Sequence, residues 1–273
     1  MECSTLLVNL TAGRSNSGLL QVASHLAERH GAAVIGVAAK QPVQIDVSGT
    51  CYISPGIYDD MQAETEAEIS RAEAEFRAVF QGRDVDWCSS VGLGSPADFI
   101  LDQVRRADVL LTGMPLHPKA DATSATAGEL IMQCGRPVLV VPPAPASPSL
   151  DRVMLAWKDT REARRAALDA LPLLRTAAYV GVVEIAAEED MAAARQHVDD
   201  VARWLGKHGI VVDAVAAASG DDDAAQLESA AQKSAANLVV AGAYGHNRVR
   251  EWAFGGVTRT LVQHADRCAL LSH

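Results

Sequence analysis

The sequence predicts an α/β protein made of two tandem doubly wound units, each a mostly parallel sheet flanked by helices. Apolar, strand-like runs alternate with amphipathic helical stretches along all 273 residues. Strands that read as continuous aliphatic runs belong to parallel sheets covered on both faces. A proline cluster, Pro142-Pro143-Ala144-Pro145-Ala146-Ser147-Pro148-Ser149, interrupts the alternation near mid-chain. Proline fixes φ and removes a donor, so this stretch reads as a stiff, exposed linker. The order of elements then repeats on either side of it. Residues 107–113 (Ala-Asp-Val-Leu-Leu-Thr-Gly) lie over residues 236–242 (Ala-Asn-Leu-Val-Val-Ala-Gly). The resulting division is 1–143 for the first domain, 144–150 for the linker and 151–273 for the second domain.

In the first half, strands are expected at 6–10, 33–38, 85–90, 109–112 and 138–141, with helices at 15–30 and 64–80. A further helix reaches Arg106, opened by Ser95 as a hydroxyl N-cap and Pro96 in its first turn. In the second half the strands fall at 152–157, 179–185, 210–216, 237–241 and 268–271. Asp159 or Thr160 caps a helix running to about Arg175. Residues 188–208 form a long helix, acidic at its start and closed by Lys207, His208 and Gly209. The Asp221-Asp222-Asp223 run starts another, and a short helix follows from Val257. Residues 41–60, with Pro42, Pro55 and two glycines, have no counterpart of equal length after Ile185 and read as a surface loop ahead of a lid.

Composition narrows the function classes. Hydrophobic residues make up 49% and aromatics only 4%, which suits an aliphatic core with Ala-rich helices. The formal net charge is −10 and there is no long Lys/Arg block, which argues against nucleic-acid binding. The five cysteines are scattered without a CxxC pair, so reduced thiols in a cytoplasmic protein are expected rather than a zinc or disulfide framework. Neither a signal peptide nor a membrane-spanning run is evident.

The chemistry concentrates after the fourth strand of the second half. Gly242 and Gly245 are separated by two residues, and nine more precede Gly255-Gly256-Val257-Thr258 at a helix start. Glycines let the backbone turn and approach a ligand closely. Free N–H groups of Gly256, Val257 and Thr258 at the helix start, with the Thr258 hydroxyl, form an anion site by geometry and dipole. Arg248, Arg250 and Arg259 outnumber Glu251 locally. In doubly wound sheets such ligands sit beyond the strand C-termini at the switch point.

With this spacing and context the sequence resembles the universal stress protein family over both halves, most specifically at 153–174 and 237–271. The resemblance implies a five-stranded parallel sheet per domain, as in adenine nucleotide α-hydrolase-like folds. It also implies ATP or other adenine-nucleotide binding in some members, dimerisation through the last strand, and a role in stress survival rather than turnover. Gly242, Gly245 and Gly255 match the nucleotide-binding pattern Gly-x2-Gly-x9-Gly, and Val257-Thr258 follow as in those members. Two residues depart from it. Gly256 stands where binders carry Ser or Thr, and Lys158 stands where binders carry an Asp that accepts from the nucleotide. A lysine cannot accept; Lys158 either faces a phosphate or is a solvated strand-end residue. The first half keeps Gly113, but Leu116 replaces a glycine, and no nucleotide is expected there.

No P-loop and no Gly-x-Ser-x-Gly elbow occurs, and Gly92-Leu93-Gly94-Ser95 is explained by capping. His246 and His264 read as structural, so no catalytic residue and no metal ligand is assigned, although slow ATP hydrolysis accompanying binding stays open. Two function classes remain. One is a non-enzymatic stress protein holding a small anionic ligand in its second half. The other is a ligand-independent interaction protein with a relic loop. Pairing of 138–141 with 268–271 would make each chain an internal pseudo-dimer, with further homodimerisation unforced.

Overall fold

The computed structural model describes residues 3–42, 55–114, 123–220, 222–243 and 266–273. Strand β1 (Thr5–Asn9) sits between two parallel neighbours, β2 (Ala33–Lys40) and β4 (Val109–Gly113). Beyond them lie β3 (Val85–Val91), parallel to β2, and β5 (Val138–Val141), parallel to β4. The second half repeats the arrangement. There β6 (Arg152–Trp157) lies between β7 (Tyr179–Ala186) and β9 (Leu238–Gly242), with β8 (Asp213–Ala218) and β10 (Cys268–Ser272) outside.

Successive side chains of a strand point to opposite faces. Leu6 and Val8 therefore enter one apolar layer and Leu7 the other, and all three are fully buried. Helices α1 (Ser17–His30), α2 (Pro55–Val79), α5 (Arg161–Asp169) and α7 (Met191–Lys207) cover the first layer. Helices α3 (Pro96–Val104), α4 (Ala127–Gln133) and α8 (Asp223–Lys233) cover the second. Burial on both faces is why the inner strands read as unbroken aliphatic runs.

The two halves share one sheet. Val138, Leu139 and Val140 pair antiparallel with Leu271, Leu270 and Ala269. The order across the ten strands is β3-β2-β1-β4-β5-β10-β9-β6-β7-β8. This is the sheet's antiparallel junction; every other neighbouring pair is parallel.

The aligned segments 107–113 and 236–242 use the same device. Asp108 Oδ2 accepts from the N–H groups of Ser4 and Thr5 at 2.9 and 3.0 Å, fixing the start of β1 against β4. Asn237 Oδ1 accepts from Arg152 N at 3.0 Å, doing the same for β6 and β9, while its Nδ2 donates to Asp151 at 2.9 Å.

Several boundaries differ from the sequence expectation for physical reasons. The helix expected to reach Arg175 stops at Asp169 and resumes as α6 (Leu171–Leu174), because Pro172 in that turn has no N–H to continue the ladder. The long helix at 188–208 begins as a 3-10 turn, Glu188–Asp190, before α7. The strand expected from Ile210 starts at Asp213, where pairing with Gly181 begins; Val211 just before it is 92% exposed. Residues 55–60 of the supposed surface loop are the first turns of α2, and 43–54 lie outside the described residues.

The proline segment is docked rather than free. A Cβ on Gly18 would lie 2.4 Å from Pro143 O and 2.8 Å from Pro145 Cδ, so α1 and the linker touch at a residue that has to be glycine. Arg29 Nη1 donates to Ser149 O at 2.9 Å, and Ala146 N donates to Asp266 O at 3.0 Å. Cys3, Cys88, Cys134 and Cys268 are unpaired thiols, and burial pushes the Cys268 thiol up to about 12, which leaves it unreactive. Among the described residues no helix is long and apolar enough to cross a membrane.

Replacing Gly18 by Val forces the helix and the Pro143 backbone apart. We expect a loss of about 1–3 kcal/mol by urea denaturation, the range for overpacking, together with faster proteolysis within 142–150. An unchanged midpoint would show that this contact is not tight.

Candidate functional site

The chain leaves β6 toward β7 and β8 on one side, and β9 leads to β10 on the other, so the switch point of the second half lies between β6 and β9. Ala156 pairs with Ala241 in register. Lys158 and Gly242 therefore emerge beside one another at the strand C-termini. Of the residues assigned to the site from sequence, these two are described. Gly245, Gly255, Gly256, Val257 and Thr258 lie outside the described residues, as do Arg248, Arg250, Arg259, His246 and His264.

Gly242 has a packing reason of its own. A Cβ there would stand 2.5 Å from Ala163 N and 2.6 Å from Glu162 C, so the first turn of α5 rests directly on the end of β9. That first turn is already capped, since Thr160 Oγ1 accepts from Ala163 N at 3.3 Å. Lys158 is exposed, and its carbonyl accepts from Thr160 N at 2.6 Å. Asp159 pairs with Arg164 at 2.6 Å. Glu162 is buried and held by Arg161. Burial pushes its carboxyl up, but the hydrogen bond from Arg161 and those from the backbone and Thr160 leave it below its ordinary value.

Sequence reasoning missed a buried acid at this end of the sheet. Glu184 lies on β7 opposite Trp157, is 6% exposed, and has both carboxylate oxygens 3.2 Å from His197 Nδ1 on α7. Burial raises its pKa above the usual carboxylate value, against the hydrogen bond and charge of His197. Asp159 adds to the rise and Lys158 opposes it. The readable signal was a charged residue inside the apolar run Val-Gly-Val-Val-Glu-Ile, a position where an acid needs a partner. Lys158, Asp159, Glu184 and His197 thus form a mixed-charge rim beside the switch point.

The corresponding rim of the first half is closed by its own side chains. Thr11 follows β1 where Lys158 follows β6. Gly13, at φ +78°, lies against the Glu68 carboxylate, which pairs with Lys40 at 2.8 Å. Asn16 is 5% exposed and ties the loop together. Its Oδ1 accepts from Thr11 N at 2.8 Å, its Nδ2 donates to Thr11 O and Arg14 O, and its backbone N–H donates to Glu75. Two carboxylates, Glu68 and Glu75, are therefore built into the loop that would face a phosphate. Position 116 lies outside the described residues. No group of three or more His, Cys, Asp or Glu side chains is gathered for a metal among the described residues.

No family model matches the sequence, and no curated protein matches it. Solved structures do. A universal stress protein from Archaeoglobus fulgidus DSM 4304 superposes with a TM-score of 0.75 at 14% identity, over 100% of this chain and 99% of that one. The fold is the universal stress protein fold, repeated in tandem. A functionally unknown protein from Pseudomonas aeruginosa PAO1 is also similar, with a TM-score of 0.60 at 12% identity over 99% and 92% of the two chains. At such identities the shared property of the universal stress protein fold is its architecture, and side-chain chemistry has to be read from this chain.

Two outcomes are expected at this site. Gly242→Ala should cost about 1–3 kcal/mol of stability with no ligand present, because the added methyl meets backbone atoms of α5; a neutral effect in urea titration would leave Gly242 without its packing role. For Glu184 the sign follows from its raised pKa. Stability from this group is full below the unfolded-state value near 4.5 and is lost as pH rises through the folded-state value. Glu184→Gln should remove that loss, so the variant gains on the wild type as pH rises above about 4.5; parallel curves would contradict it.

Proposed function

We propose that this protein is a universal stress protein that works by binding rather than turnover, and that its second half takes an adenine nucleotide or another phosphate-bearing ligand. The observation that carries the reading is the convergence of Lys158 and Gly242 at the β6/β9 switch point, the place where doubly wound sheets bind ligands. The sequence spacing of Gly245, Gly255 and Gly256, with the helix expected from Val257 and Thr258, would supply N–H groups for phosphate oxygens. Lys158 adds a cation that offsets the lost acceptor of the usual pattern.

On this reading residues 1–143 form a domain whose own switch point is filled by Asn16, Glu68 and Glu75, and residues 151–273 form the ligand-binding domain, joined by 144–150. The β5–β10 pairing takes the place of a contact between two chains, an internal pseudo-dimer that leaves a homodimer optional. The reading is of a cytoplasmic binding protein rather than an enzyme. A second reading, an interaction protein with a relic loop, is favoured by one observation. Gly242 is demanded by α5 whether or not a ligand is present.

Denaturing the purified protein and separating what is released by chromatography tests for a co-purifying nucleotide. Thermal unfolding with millimolar ATP is the companion measurement. Ligand at a hundred times its Kd adds about 2.7 kcal/mol to folding stability. Gly255→Val should abolish that shift, and Lys158→Ala should reduce it. No released nucleotide and no shift with ATP would overturn the nucleotide reading in favour of the second.

A further inference from the structure

Away from the switch point, a pocket of about 130 Å3 opens where the two halves meet, between the end of α4, the middle of α5 and the end of β10. Its walls come from both halves. Arg165 on α5 donates from Nη2 to Gly135 O, just beyond α4, at 3.0 Å, and Arg136 stands exposed beside it. Ser272 at the end of β10 is 2% exposed and Asp169 on α5 is 9% exposed, and both line the pocket.

These two residues are unfinished. Ser272 Oγ and Asp169 Oδ2 are buried and complete no hydrogen bond of normal geometry. The nearest cation, Arg165 Nε, lies 3.5 Å from Asp169 Oδ2. Burial pushes the Asp169 carboxyl above its ordinary range, against the pull of the neighbouring Ser272 hydroxyl and of the Arg165 and Arg136 charges. Buried polar atoms in folded proteins are normally satisfied, by protein groups, water or a ligand. Here both atoms belong to residues that line the pocket, just behind its wall.

The inventory defines what would fit. Asp169 only accepts when ionised, so it calls for a hydrogen-bond donor. Among the side chains of the wall two guanidinium groups are set against one carboxylate, and Arg136, outside the Arg165–Asp169 ion pair, is placed to take an anionic oxygen. A cavity of roughly 150 Å3 accommodates benzene, so this one holds a molecule of about six heavy atoms. We propose that the seam pocket binds a small carboxylic acid that also carries a hydroxyl or ammonium group, of the size of a three-carbon hydroxy or amino acid. The carboxylate faces Arg136, the donor faces Asp169, and Ser272 completes the set. Since Arg165 and Gly135 come from different halves, occupancy braces the junction between them.

The test uses the full chain, with lactate, L-alanine and L-serine as probes, propionate as the analogue lacking the donor, and inorganic phosphate as the anion control. Thermal unfolding is read at millimolar probe, and binding by amide chemical-shift changes near Ser272. The expected result is a rise in melting temperature with at least one donor-bearing acid, at least tenfold weaker binding of propionate, and shifts confined to the seam. Arg136→Gln, an exposed change that leaves the core intact, should weaken that binding tenfold or more. Asp169→Asn should erase the preference over propionate, and Ser272→Ala is the fallback should Asp169→Asn fail to fold. The proposal is overturned if no probe shifts the melting curve, which leaves water as the occupant. It is equally overturned if phosphate alone does so, or if Arg136→Gln binds as the wild type does.

Discussion

Every open β-sheet has two edges whose N–H and C=O groups lack partners, and a five-stranded sheet of this order would expose its fifth strand along one of them. The chain resolves this by setting β5 against β10. Val138–Val141 and Cys268–Ser272 are almost completely buried, which a solvent-facing edge could not be. The two strands run antiparallel, Val138, Leu139 and Val140 opposite Leu271, Leu270 and Ala269. Much else depends on that pairing: the shared apolar layer running under both halves, the docking of the proline segment on α1, and the seam pocket itself.

Each half has its own switch point, and the two differ in chemistry. The first is packed with Asn16, Glu68 and Glu75, side chains that satisfy one another and the β1–α1 loop. The second keeps an exposed lysine and a glycine at its strand ends, with a buried Glu184–His197 pair behind them. The frame that holds each is the same, down to the Asp108 and Asn237 side chains that hold the first strand against the fourth. An acid and its amide serve equally there because one carbonyl-type oxygen suffices to accept from the backbone. The two halves thus share a frame and differ at the site.

How much of this was legible in the sequence depended on distance along the chain. The parallel inner strands were plain because burial on both faces writes itself as runs such as Val138-Leu139-Val140-Val141. Capping by Ser95 and Thr160 was legible too, since an N-cap acts within three residues. Lys158 and Gly242 come out beside one another at the ends of β6 and β9, while the rest of the glycine spacing lies outside the described residues. What escaped depended on register. Glu184 meets His197 only because β7 and α7 pack, and Asp169 meets Ser272 across more than a hundred residues. Gly242 was read for ligand approach, yet its closest neighbour is the backbone of α5, a contact that no local pattern encodes.

The ten-stranded order also fixes where the molecule is mechanically quiet. The outermost strands, β3 and β8, are the third strand of each unit, and both are half exposed. Opening that costs least begins at such strands, where few apolar contacts hold the backbone. Amides near Leu139 and Leu270 lie at the greatest remove from either edge and are expected to open last. The join between the two halves is thus the part of the sheet that lies deepest between its two edges.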